Sequence, residues 1–219
     1  MDLFNEQKGS AIEFEYRYID YSKIDIVEKL KANGAIKKGT YLFKVIIFSH
    51  PNKKSNAYIR IRDEGFRTTM TYKIYRGKFP EEQEIQIDNF ETGVKIFQSL
   101  GCRKKYYYEK IREIWDLEQF SSEIVFDTNP GRIDIMEIES KDLNSLNLCA
   151  QILGLENTPH NNFVDSKLYK KHFGINFKKG REDLTFKSMV KILEPLVTKN
   201  KEQFDLLVKK QMEKYNSII

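Results

Sequence analysis

The residues of this chain with chemistry to offer are carboxylates and cations spaced two apart. Glu13 and Glu15 lead into Arg17; Arg60 stands with Arg62, Glu82 with Glu84, Lys110 with Arg112 and Glu137 with Glu139, while Lys73 and Asp127 stand alone. A spacing of two puts both members of a pair on one face of a β-strand, because successive side chains point to opposite faces. Like charges that close on one face repel, so they persist best with a ligand of opposite charge between them. Paired carboxylates suit a divalent cation, and paired Arg or Lys side chains suit phosphate. The alternation alone is equally that of half-buried strands whose charges face water. Strands this heavily charged put their polar faces either outside in solvent or inside around an ionic ligand.

The strands that must position them are legible from the same alternation. Residues 12–18 set Ile12, Phe14, Tyr16 and Tyr18 against Glu13, Glu15 and Arg17. Residues 40–48 are aromatic and β-branched; 57–62 set Ile59 and Ile61 against Arg60 and Arg62; 67–75 set Met70, Tyr72 and Ile74 against Thr71 and Lys73. Residues 82–87, 105–117, 123–127 and 132–139 complete the strands, with turns at 49–55, 63–65, 77–80 and 129–131. A helix over 21–33 is expected, capped by Ser22 and stopped by Asn33-Gly34, and a second over 91–100 stopped by Gly101. Beyond Ser140 the pattern turns helical, over 141–153, 164–172, 183–197 and 202–215, with basic outer faces on the last two.

Bulk properties exclude several classes. Of 219 residues, 32% are charged and 40% hydrophobic, and the longest apolar run, Val45-Ile46-Ile47-Phe48, is strand-sized, so no membrane partner is expected. The net charge of +5 suits a polyanion but is too small to indicate nucleic-acid binding by itself. Two cysteines, Cys102 and Cys149, give neither a disulfide framework nor a thiolate metal site. The first residues lack a signal-peptide pattern, which makes a reducing, cytoplasmic setting the expectation. His50, His160 and His172 are scattered singly, and no glycine opens a phosphate-binding loop.

The ordered set of motifs resembles one family, the CYTH domains or triphosphate tunnel metalloenzymes. The hallmark Glu-x-Glu-x-Lys is similar to Glu13-Phe14-Glu15-Tyr16-Arg17, with Arg17 in place of lysine. Arg60-Ile61-Arg62, Thr71-Tyr72-Lys73, Glu82-Gln83-Glu84, Lys110-Ile111-Arg112, Asp127 and Glu137-Ile138-Glu139 follow in the family's order, over residues 11–172. Residues 41–44, Tyr-Leu-Phe-Lys, depart from the family's usual second strand. The resemblance implies an α+β fold: a closed eight-stranded antiparallel β-barrel, the triphosphate tunnel, with flanking helices and a helical C-terminal extension. The tunnel domain is expected at 1–173, with residues 174–219 packed on it.

By the same resemblance, Arg60, Arg62, Lys73, Lys110 and Arg112 bind the triphosphate. Glu13, Glu15, Asp127, Glu137 and Glu139 hold Mg²⁺ or Mn²⁺, and Glu82, Glu84 and Arg17 serve the reaction. The expected activity is hydrolysis of a triphosphate: tripolyphosphate, a nucleoside triphosphate such as ATP, thiamine triphosphate or the 5′ end of RNA. The alternatives are a class IV-type adenylyl cyclase, which forms cyclic AMP and pyrophosphate from ATP, and a non-catalytic triphosphate binder. A monomer or homodimer is expected.

Overall fold

The computed structural model describes residues 11–12, 14–52, 55–75, 80–176 and 183–219. Nine strand segments form one antiparallel sheet: β1 (Ala11–Ile12), β2 (Phe14–Tyr18), β3 (Ile36–Ser49), β4 (Ala57–Asp63), β5 (Thr68–Ile74), β6 (Glu81–Ile87), β7 (Arg103–Leu117), β8 (Ser122–Thr128) and β9 (Ile135–Ser140). Their order is β1-β6-β5-β4-β3-β7-β8-β9-β2. Since β1 and β2 flank the single residue Glu13, they count as one strand and the sheet as eight. That strand supplies both ends of the order, Ala11 opposite Glu82 on β6 and Glu15 opposite Glu139 on β9. Among the described residues the sheet curls into a half-barrel with helices against its convex face, where the sequence predicts a closed barrel.

The convex face is apolar, as the alternation requires. Tyr16, Tyr18, Trp115, Leu117, Ile124, Phe126, Met136 and Ile138 pack under α1 (Lys23–Ala32) and α3 (Leu143–Ile152), which contribute Ile26, Leu30, Leu146 and Cys149. Ser22 caps α1 by accepting the Asp25 N–H at 3.4 Å. Helix α2 (Phe90–Ser99), capped by Asn89, lays Val94 and Phe97 over Ile46, Phe48, Ile59 and Ile61. Its Gly93 leaves the space a Cβ would take 2.6 Å from Ile87. A third cluster joins Ile111 and Leu42 of the sheet to α4 (Asp165–Phe173), α5 (Met189–Leu193) and α6 (Lys201–Asn216). Among the described residues no helix is long and apolar enough to cross a membrane.

Several expected boundaries move. Strands β3 and β7 extend beyond 40–48 and 105–117 because they pair with each other along nearly their whole length. The helix expected over 183–197 shrinks to α5 and a following 3-10 turn, Glu194–Leu196. Leu184 instead lies beside Tyr108 as a parallel bridge, accepting the Glu109 N–H at 3.1 Å and donating to Tyr107 at 3.2 Å. Thr185 and Ser188 exchange side-chain-to-backbone bonds of 2.9 and 3.0 Å, a local alternative to helix. The turn expected at 77–80 falls on residues 77–79, outside the described set.

The last strand starts at Ile135, not Arg132, because the preceding loop is held by α6. Gln211, 3% exposed, accepts the Gly131 N–H at 2.8 Å and donates to the carbonyls of Asn129 (3.0 Å) and Arg132 (2.8 Å). Gly131 has φ +66 and lies against Leu193 and Phe204, where a side chain does not fit. Gln211→Ala leaves these buried groups unpaired, at a cost of about 3 kcal/mol. Thermal unfolding should show Tm lower by roughly 6–12 °C.

Candidate functional site

The concave face encloses a cavity of about 900 Å³. One wall is β4–β5–β6, whose register sets Arg60 opposite Thr71 and Thr71 opposite Glu84. Lys73 Nζ lies 2.7 Å from Glu82. The Thr71 hydroxyl donates to Glu84 at 2.6 Å. Arg60 approaches Glu82 at 3.7 Å and Glu84 at 3.5 Å, and Arg62 is 3.5 Å from Glu84. Burial opposes ionisation of Glu82, but Arg60 and Lys73 outweigh it and hold the carboxyl below its usual range. Burial and the charge of Arg60 lower the pKa of Arg62. Glu82 and Glu84 thus buttress the three cations of this wall.

Arg112 is the hub of the opposite wall. Its Nε and one terminal nitrogen each donate to Asp127 at 2.7 Å, and it reaches Glu137 at 2.6 Å and Glu139 at 3.4 Å. Lys110 donates to the same Asp127 at 2.6 Å. Burial, then the charge of Arg112, pull Lys110 down to about 8 against the attraction of Asp127. Burial alone would raise Asp127, but Arg112 and Lys110 hold it far below the usual carboxylate range. Beneath these groups β3 contributes an apolar floor of Phe43, Val45 and Ile47. The Phe43 ring lies under Arg62, Lys110 and Arg112, with centroid distances of 5.5, 5.6 and 5.8 Å. This is where the sequence departs from the family's second-strand pattern.

The carboxylates divide into two kinds. Glu15, Glu137 and Glu139 bring their oxygens within 4.8 Å of one another, a donor set of hard oxygens that fits a small divalent cation. Asp127, expected among the ligands, is instead wrapped by Arg112 and Lys110. Glu13 lies outside the described residues. Arg17 is 23% exposed and forks, with Nε to Glu137 at 2.9 Å and a terminal nitrogen to Asp165 at 2.7 Å, and its guanidinium lies over Phe163. A lysine at this position has one nitrogen and cannot span both carboxylates in the same way.

Six charged residues of this cavity stand outside those singled out from the sequence: Glu64, Arg67, Lys105, Glu123, Arg132 and Asp165. Arg132, 4% exposed, follows the loop held by Gln211, lies 2.9 Å from Asp165 and has a buried Nε with no hydrogen-bond partner. Asp165, in the first turn of α4, joins Arg17 and Arg132. Glu64, 1% exposed, sits in the β4–β5 turn between Arg62 (2.6 Å) and Arg67 (2.8 Å). Glu123 stands opposite Glu139 on β9. Burial, and then the charge of Glu139, push Glu123 up to about 7 from 4.5.

Glu123 gives the metal-free protein a pH signature. Below pH 4.5 the carboxyl is protonated folded and unfolded; up to about pH 7 only the folded form keeps its proton. This stabilising contribution is therefore complete below pH 4.5, falls as pH rises through 7, and amounts to about 2 kcal/mol. Denaturant titrations should show that decline in the native protein and a flatter profile in Glu123→Gln.

An antiparallel sheet curled around interdigitated acids and bases, with the described helices on its convex side, defines a class: a curled β-sheet with an ionic interior. A family profile described as the CYTH domain matches residues 11–146, and the chain belongs to that family. Among solved structures, a protein from Pyrococcus horikoshii is similar with TM-score 0.58 and 21% identity, covering 72% of this chain and 98% of that one. A conserved hypothetical protein from Pyrococcus furiosus gives 0.58 at 20% identity, with 71% and 99% covered. A candidate adenylate cyclase from Vibrio parahaemolyticus gives 0.62 at 12% identity, with 74% and 99% covered. These likenesses show the fold. No curated protein matches the chain.

Proposed function

We propose that this protein is a metal-dependent triphosphatase that removes the terminal phosphoryl group of a triphosphate held inside the sheet. The observation that carries the reading is the convergence, in one cavity, of cations from three strands with the cluster Glu15, Glu137 and Glu139. Arg60, Arg62, Lys73, Lys110 and Arg112 bind the phosphate oxygens, and Arg132 joins them. Glu82, Glu84 and Asp127 hold those cations in place. Glu15, Glu137 and Glu139, with Glu13 beside them in sequence, hold Mg²⁺ or Mn²⁺. When bound, the ion neutralises phosphate charge and polarises a phosphoryl oxygen. Lys110 and Arg112 stabilise the negative charge that gathers on the leaving oxygen as water attacks in line. Arg17 orients Glu137 from the rim.

Charge supports a metal requirement. The described lining holds nine carboxylates and nine Lys or Arg side chains, so it is close to neutral by itself. A triphosphate adds about −4, which two divalent ions would offset. In this reading the sheet closes through Glu13 into an eight-stranded barrel. Residues 1–173 form the tunnel domain, with 174–219 a helical extension packed on it, in a cytoplasmic protein.

The test is direct. Purified protein is incubated with tripolyphosphate or ATP and Mg²⁺ or Mn²⁺, and the products are resolved. Orthophosphate release that depends on the metal is expected. Cyclic AMP with pyrophosphate overturns the hydrolase in favour of a cyclase, and tight binding without turnover overturns it in favour of a binder.

A further inference from the structure

Four tyrosines line one end of the cavity, and neither the buttressed cations nor the carboxylate cluster needs them. Tyr58 precedes Arg60 by two residues on β4, Tyr75 follows Lys73 by two just past the end of β5, and Tyr108 precedes Lys110 by two on β7, with Tyr106 one step further out. Two residues along a strand is about 7 Å. On three strands, therefore, an aromatic ring stands one sugar's width beyond a cation proposed to read phosphate. The rings belong to one group. Tyr58 and Tyr75 have centroids 6.4 Å apart, and Tyr106 and Tyr108 6.1 Å. Tyr58 and Tyr108 pack against the same apolar cluster of Phe43, Val45 and Ile47, which joins the two pairs. Tyr75 and Tyr106, 44% and 41% exposed, form the rim.

Resting on the triphosphate reading, we propose that this end is the binding site for the aromatic base of a nucleoside triphosphate. Aromatic faces suit stacking of a flat base. Arg60, Lys73 and Lys105 at this end disfavour a cationic ring, so the base is neutral. The orientation follows from the order Tyr106, Tyr108, Lys110, Arg112 along β7. With its base among the tyrosines, the nucleotide directs its terminal phosphoryl towards Arg112 and the carboxylates that Arg112 contacts. A neutral-base nucleotide is thus bound in the sense that exposes its terminal phosphoryl group, not its α-phosphorus, to the carboxylate cluster.

The experiment is a calorimetric titration with Mg²⁺ of two ligands resistant to hydrolysis, the β,γ-imido analogue of ATP and inorganic diimidotriphosphate. Wild type is compared with Tyr75→Ala/Tyr106→Ala and with Tyr106→Phe. The double variant should bind the nucleotide about tenfold or more weakly, and the inorganic ligand within twofold of wild type. Tyr106→Phe, which keeps the ring, should bind both as wild type does. Equal weakening of both ligands, or no weakening of either, overturns the base site while leaving the triphosphate reading intact. Failure of wild type to bind either ligand overturns the triphosphate reading itself.

Discussion

Arg112→Ala is expected to abolish measurable triphosphate binding and to cost about 3–5 kcal/mol of folding stability at pH 7.5. The reason is the number of charges that depend on one guanidinium. Asp127 accepts two bonds from Arg112, and Glu137 and Glu139 lie at 2.6 and 3.4 Å. Without Arg112 these carboxylates face one another in a buried space, with Lys110 and Arg17 as the remaining cations close to them. They then bind protons at higher pH, so the stability deficit should shrink as pH is lowered towards 5. Arg112→Lys keeps one charge but loses the fork that meets Asp127 with two nitrogens, and should fall between wild type and alanine. Denaturant unfolding at pH 5 and 7.5, with calorimetry of tripolyphosphate binding, checks each part. Native-like binding by Arg112→Ala would show that the anion lies elsewhere.

The second large effect is expected from Glu15→Gln combined with Glu139→Gln. These substitutions remove two charges from the carboxylate cluster while keeping side-chain size, and they spare Glu137, which Arg17 and Arg112 both engage. Loss of a metal's stabilisation of transition-state charge amounts to several kcal/mol, so turnover should fall about a thousandfold or more. Two further readouts separate this from a folding defect. The rise in Tm that Mg²⁺ or Mn²⁺ gives the wild-type protein should disappear, while the metal-free Tm should hold or increase, because like charges have been removed. An unchanged metal-induced shift would place the ion outside this cluster.

Much of the fold was legible because the alternation is strict where one face is apolar. On β4, Ile59 and Ile61 fall under α2 while Arg60 and Arg62 face the cavity, and on β7 Lys110 and Arg112 share a face for the same reason. Helix boundaries were legible where a cap speaks for itself, as Ser22 does for α1. What was hidden depends on cross-strand register and on loops. Asp127 reads like another metal carboxylate until the pairing of β7 with β8 sets it opposite Arg112. Arg132 and Glu64 sit in turns, where no periodicity marks a direction, and Asp165 looks like an ordinary acidic residue in a helix's first turn. Residues 183–188 carry a helical pattern, but their backbone groups bond to β7 and their hydroxyls to one another. The tyrosines announced themselves only as strand formers, since aromatic enrichment in strands is common whatever the rings later do.

The stretch around Glu13 has a consequence for how the protein comes into being. Its two halves pair with β6 and β9, so this strand, made before the rest of the described sheet, must wait for the last of the others before its pairing is complete. Pairings between distant parts of a chain form slowly, and domains assemble as their sequence emerges. Glu15 meets Glu139 only at that final seam. A nascent chain that ends before β9 therefore has most of its sheet but lacks the carboxylate cluster, which arrives with that strand, all at once.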